Sequence, residues 1–155
     1  MGKFILVKSD EVIPSQDFLK EATLGFILDC YTNHNEDKLP PPPIVRLDLS
    51  RKNYIAIDGH NLLMINGLLG KPTNVFVAGS KNDCITLELS PSSSQESLLQ
   101  RNADLQEKFD SCLLNLKDLK EKGILSFNDL QSRYSFLKDI DTANDYFKNN
   151  NSILR

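Results

Sequence analysis

The chain has few cysteines, no surplus of positive charge and no long hydrophobic run, and each shortage removes a class of function. Its three cysteines, Cys30, Cys84 and Cys112, are odd in number and far apart. They show neither a CxxC pair nor a Cys/His ligand spacing, so they offer no zinc site and no redox dithiol. Reduced thiols in a cytoplasmic protein are the expectation. Lysine and arginine total 18 against 21 aspartates and glutamates, a formal charge of −3. Wrapping nucleic acid requires a basic face to neutralise phosphates, so no nucleic-acid partner is expected. The apolar run at residues 4–7 stops at Lys8, too short for a secretory core, and nothing later approaches the length of a membrane span. No membrane partner is expected either. His34, in TNHNED, has no second ligand at a fixed spacing and reads as a surface loop residue.

What is present suffices for one core. The 155 residues are 40% hydrophobic and 25% charged, enough apolar surface to fold. Residues 4–7 read as a short strand. Over residues 16–31, Phe18, Leu19, Ala22, Leu24, Ile27, Leu28 and Tyr31 recur at helical spacing. Four prolines at 40–43 then impose a stiff extended lead-in. Residues 44–49 and 54–57 alternate as two strands paired back on each other. After Asp58-Gly59, residues 60–69 read as a helix closed by Gly70 with Pro72 beyond. Residues 74–78 form a further strand, and 84–89 a possible last one.

The final third changes character. Leu98, Leu105, Cys112 and Leu119 repeat every seven residues, with Phe109 and Leu116 between them. A second stripe of Phe127, Leu130, Tyr134, Leu137, Ile140 and Phe147 follows Gly123, with Ser126 as its cap. The expected fold class is therefore α+β. A small mixed sheet with packed helices occupies residues 1–90, a Ser-rich linker 91–94, and a C-terminal α-helical hairpin 95–150. The hairpin buries its stripes against each other or against the front of the chain, and the seven-residue repeat leaves open a homodimer through the C-terminal helices.

One constellation resembles a site. Asp58, Gly59, His60 and Asn61 stand where a strand turns into a helix, and the first N–H groups of a helix lack partners and carry partial positive charge. A phosphate fits such a corner. Plain turn and capping chemistry is the bland alternative.

The stretch VIPSQDFLKEATLGFILDCY followed by PPPPIVRLDLSRKNYIAIDGHNLLMINGLLGKPTNVFVA resembles the N-terminal domain of the ParB/sulfiredoxin superfamily. That family shows an Ile-Pro segment, a helix, a "PPI-V" strand, a strand ending in a Gly-centred motif, a helix closed by Leu-Gly and a final strand. Asp58-Gly59-His60 looks like the Asp-Gly-His of the branch that includes free serine kinases, whose motif sits beside nucleotide phosphates. The resemblance implies a bound nucleotide or other small phosphorylated ligand, with ATP, ADP or CTP and Mg²⁺ as the expected cofactors. It also implies phosphoryl transfer or nucleotide hydrolysis in which Asp58 orients the acceptor or the metal and His60 contacts phosphate. Gly59, His60 and Asn61 would line the ligand. The branch carries a catalytic Glu just after its Pro segment, a place held here by Gln16 or Asp17; Gln cannot act as a base, and Asp17 can.

The family's Arg, one or two residues after the His position, is replaced here by Asn61, Leu62 and Leu63. Arg46, Lys71 and Lys81 are the substitute cations considered for phosphate, although a solvated side chain is the commoner state for each. Without that Arg and the Glu, a catalytically inactive protein-interaction module on the same scaffold is the alternative. A DNA-binding or nuclease role is a third, disfavoured by the negative charge.

Overall fold

The computed structural model describes residues 2–48, 53–85 and 95–149. The fold is α+β, as expected. Five strands, β1 (Lys3–Val7), β2 (Val12–Ile13), β3 (Ile44–Asp48), β4 (Asn53–Asp58) and β5 (Thr73–Val77), form one sheet in the order β1-β5-β3-β4-β2. The sheet is mixed: β1 with β5 and β3 with β4 are antiparallel, whereas β3 with β5 and β2 with β4 are parallel. Among the described residues five α-helices accompany it: α1 (Glu21–Thr32), α2 (His60–Leu68), α3 (Gln95–Glu121), α4 (Phe127–Gln131) and α5 (Ile140–Asn149).

Because side chains alternate across a sheet, its two faces build two cores. Ile13, Ile44, Ile55 and Ile57 pack on one face with Leu105, Cys112 and Leu116 of α3. Val12, Val45 and Ala56 pack on the other with Leu24, Ile27 and Leu28 of α1 and Leu62, Leu63 and Ile65 of α2. Ile124, Phe127, Leu130, Leu137, Ala143 and Phe147 join this second core. Most of the first stripe thus packs on one face of the sheet through Leu105, Cys112 and Leu116, while Leu119 at its end joins the second stripe in the other core. Gly123, at φ 80°, supports the reversal between them, with Ile124 N–H donating to Leu119 O at 2.8 Å.

Three elements differ from expectation. Residues 16–20 do not join α1, because tertiary acceptors take their N–H groups: Leu19 N–H donates to the Tyr134 hydroxyl at 2.8 Å and Lys20 N–H to Asn61 Oδ1 at 2.9 Å. The second C-terminal stripe is not one helix but α4, a 3₁₀ turn at Ser135–Leu137 and α5. Ser126 Oγ caps α4 by accepting from Asp129 N–H at 3.1 Å. Asp139 Oδ1 accepts from Thr142 N–H at 2.7 Å, so local side chains restart the helix. Cys84 and Ile85 follow a 3₁₀ turn at Lys81–Asp83 and are not in a strand; residues 86–89 of the expected last strand, and the linker at 91–94, lie outside the described residues. Among the described residues no helix is long and apolar enough to cross a membrane.

Candidate anion-binding cleft

The central strand β4 delivers the candidate site. Its buried run Ile55, Ala56, Ile57 anchors the strand, and Asp58 ends it. Gly59 then takes φ 88°, ψ 24° and α2 begins at His60. Only glycine fits this corner: a Cβ at Gly59 would stand 2.5 Å from Pro43 Cβ and 2.7 Å from Pro43 Cα, in addition to the strain of a left-handed backbone. The last proline of the PPPP run therefore fixes how tightly the turn is drawn. No side chain caps α2. The first helical bond at this end is Leu63 N–H to Gly59 O at 3.1 Å, which leaves the N–H groups of His60, Asn61 and Leu62 without intrahelical acceptors.

These amides border a cleft of about 250 Å³. Asp58, Gly59, His60, Asn61 and Leu62 form its floor, Pro40 and Pro41 one wall, and Gln16, Phe18 and Lys20 another. Arg101 and Lys108 reach it from α3. Among the described residues that line it, Lys20, Arg101 and Lys108 stand beside one carboxylate, Asp58.

His60 is 2% exposed. Its Nε2 accepts from Ser15 N–H at 3.0 Å, and the Ser15 hydroxyl donates to Ala56 O at 2.5 Å. Its ring lies 5.9 Å from that of Phe127. Burial, assisted by the charge of Lys108, pushes its pKa down to about 3. The imidazole is thus neutral at pH 7 and, with Nε2 accepting, carries its proton on Nδ1. It can donate a hydrogen bond to an anion but adds no charge. Asn61 has a second task, since its Oδ1 holds Lys20 N–H at the entry to α1.

Several sequence candidates lie elsewhere. Asp17 does not line the cleft. Its carboxylate takes a bond from Lys122 Nζ at 2.6 Å, which holds its pKa below the ordinary value; Gln16 lines the cleft instead. Arg46 belongs to the α3 face of the sheet: its Nη1 donates to Phe109 O at 2.6 Å and its guanidinium lies 4.0 Å from the Phe109 ring centroid. Lys71 stacks on Tyr31 at 4.6 Å, and Lys81 pairs with Asp110 at 3.5 Å. None of these three lines the cleft, so the cations there are Lys20, Arg101 and Lys108. The sequence hinted at the last two only through their spacing: each falls three residues after a stripe position, Leu98 or Leu105, on one side of α3.

A single carboxylate limits metal chemistry. Among the described residues no group of three His, Cys, Asp or Glu side chains could hold a metal ion. No family model matches the chain, and no curated protein was found to be similar to it.

Proposed function

We propose that the protein binds a nucleotide or another phosphate-bearing small molecule in the cleft at Asp58, Gly59, His60 and Asn61. One observation carries this reading: the uncapped amides of His60, Asn61 and Leu62 border a cleft that Lys20, Arg101 and Lys108 also line. A helix N-terminus and three cations act with one sign on the same volume. His60 adds a neutral N–H donor. The apolar walls, Phe18 on one side and Pro40 with Pro41 on the other, suit the uncharged part of the ligand.

The order Ile13-Pro14, α1, Pro43-Ile44-Val45, β4 ending at Asp58-Gly59, α2 closed by Leu69-Gly70, then β5 supports membership of the ParB/sulfiredoxin superfamily as part of the same proposal. ATP, ADP and CTP with Mg²⁺ are the ligands to try first. For phosphoryl transfer or hydrolysis, Asp58 is the group available to orient the acceptor or the metal, and His60 donates to phosphate. Asp17, held by Lys122 outside the cleft, has no part in this proposal. Thermal unfolding with each nucleotide at millimolar concentration, with and without Mg²⁺, tests the reading; binding raises Tm, and no rise with any of them overturns it. A matching scan with Lys108→Gln locates the effect.

A second reading, an interaction module without turnover, has its own support. Gln16 stands where a base is needed, and α3 exposes Leu99, Leu113 and Leu114, at 62%, 44% and 75% of their surface. Sedimentation across a hundredfold range of concentration tests self-association, and single-turnover assays with the bound nucleotide test chemistry.

A further inference from the structure

β1 is an outer strand, bordered by β5 alone, so one of its long edges meets no strand among the described residues. Which groups stand on that edge follows from the bonds of β5. Phe76 N–H donates to Pro43 O and Ala78 N–H to Val45 O, each at 2.8 Å, so these residues turn their polar groups towards β3. Alternation then turns those of Val75 and Val77 towards β1, where they bond to Ile5 and Lys3 opposite them. The N–H and C=O groups of Phe4 and Leu6 therefore point outward. Their side chains are exposed as well, 53% for Phe4 and 69% for Leu6. Both share the face of Phe76, against whose ring Phe4 packs edge-on at 5.1 Å. α3 packs on this face over Ile44, Ile55 and Ile57 of β3 and β4, so Phe4 and Leu6 extend the apolar surface towards the edge. Proline, a bulge or a charged side chain commonly guards such an edge. Between Phe4 and Val7, β1 has none of the three.

We infer that this edge pairs with the same edge of a second copy of the chain, antiparallel about Ile5, so that one sheet runs through the dimer. A second copy fits because the strand is complementary to itself. With Ile5 on the two-fold axis, all of Lys3–Val7 overlaps the same residues of its partner. Phe4 then faces the partner's Leu6 and Leu6 the partner's Phe4, and each pair exchanges both of its N–H to C=O bonds. The two apolar patches meet at the axis. Lys3 faces the partner's Val7, so no lysine stands opposite another. A shift by two residues one way sets Phe4 against the partner's Lys8, whose N–H already donates to Glu11 Oε1 at 2.8 Å and whose carbonyl accepts from Glu11 N–H at 2.9 Å. The opposite shift sets Leu6 against the partner's Gly2, which has no side chain to cover it. Five residues a side fall well short of the roughly 20–30 of a stable interface, so the dimer is weak, with a dissociation constant in the micromolar to millimolar range. The edge shares no residue with the cleft at Asp58–Asn61.

Sedimentation equilibrium of the full chain, from about 10 µM to about 1 mM, is expected to show monomers in exchange with dimers. Amide hydrogen exchange read by NMR gives the signature of the edge: the Phe4 and Leu6 amides slow as concentration rises, whereas the Ile5 amide, already bonded to β5, is protected throughout. Leu6→Lys places a charge beside the axis and is expected to weaken association about tenfold or more. Leu6 is exposed, and circular dichroism checks that the variant is folded. Leu114→Lys, at an exposed position of α3, leaves the dimer unchanged. A chain that stays monomeric at the highest concentration overturns the inference, as does a dimer that survives Leu6→Lys or is lost with Leu114→Lys. Phe4 and Leu6 amides already protected in the monomer overturn it too, since the edge is then covered within one chain.

Discussion

Replacing Gly59 by alanine tests the geometry on which the cleft depends. The left-handed backbone at φ 88° costs an L-residue about 1–2 kcal/mol. The new methyl would also stand 2.7 Å from a backbone atom, Pro43 Cα, which cannot swing aside as a side-chain tip could. Forcing a methyl into a filled space typically costs about 1–3 kcal/mol more. Gly59→Ala is therefore expected to lose about 2–5 kcal/mol, or roughly 5–15 °C in Tm for a chain of this length. Gly70→Ala is the internal control: its φ is 70°, yet a Cβ there meets nothing within 4 Å, so it carries only the backbone term of about 1–2 kcal/mol. Urea denaturation of both variants beside the parent protein isolates the contact with Pro43 as the difference between them. If Gly59→Ala is no more destabilised than Gly70→Ala, the corner is not clamped by the proline run and the account of the turn fails.

Three further predictions follow from separate features. His34 holds φ 57° just beyond α1, where Asn35 N–H closes on Cys30 O at 2.8 Å; His34→Gly is expected to stabilise the protein by about 0.5–1 kcal/mol in the same urea assay. His60 binds no proton in the folded state until pH about 3, whereas in the unfolded chain it titrates near 6.5. Stability present above pH 6.5 is thus lost as pH falls towards 3, by about 1.4 kcal/mol per unit from this group. Unfolding curves at pH 7, 6, 5 and 4 should show that slope, and His60→Gln, whose amide oxygen can still accept from Ser15 N–H, should flatten it. Cys30, Cys84 and Cys112 are all buried, and burial pushes Cys84 up to about 11; a thiol-specific dye at pH 7 should label none of them in the native protein and all three in denaturant.

Local chemistry made much of the fold legible. The three- and four-residue spacing of Leu24, Ile27, Leu28 and Tyr31 places α1, the alternation around Ile55 and Ile57 places β4, and Gly70 marks the end of α2. These signals rest on interactions within a few residues of one another. The structure departs from these spacings where a distant group intervenes or a local cap starts a new helix. Residues 16–20 have helical spacing, but the Tyr134 hydroxyl and the Asn61 amide, more than 40 positions away, take two of their N–H groups. Phe127 to Phe147 keep one stripe, yet Asp139 supplies a new helix start within it.

The candidate site divides in the same way. Its floor, Asp58-Gly59-His60-Asn61, was readable because a glycine between a strand and a helix is a local demand of the backbone. Its cations were not. Arg46 precedes the turn by only a dozen residues, but strand alternation and the Phe109 carbonyl place it on the α3 face of the sheet. Arg101 and Lys108 come from a helix some 40 residues further on and reach the turn only because α3 lies across the strands. Sequence alone determined which residues form the corner, since φ, hydrogen-bond periodicity and proline stiffness act over a few bonds. Only the tertiary structure decided which charges surround it, because a charge acts through space and its neighbours are set by how the helices pack on the sheet.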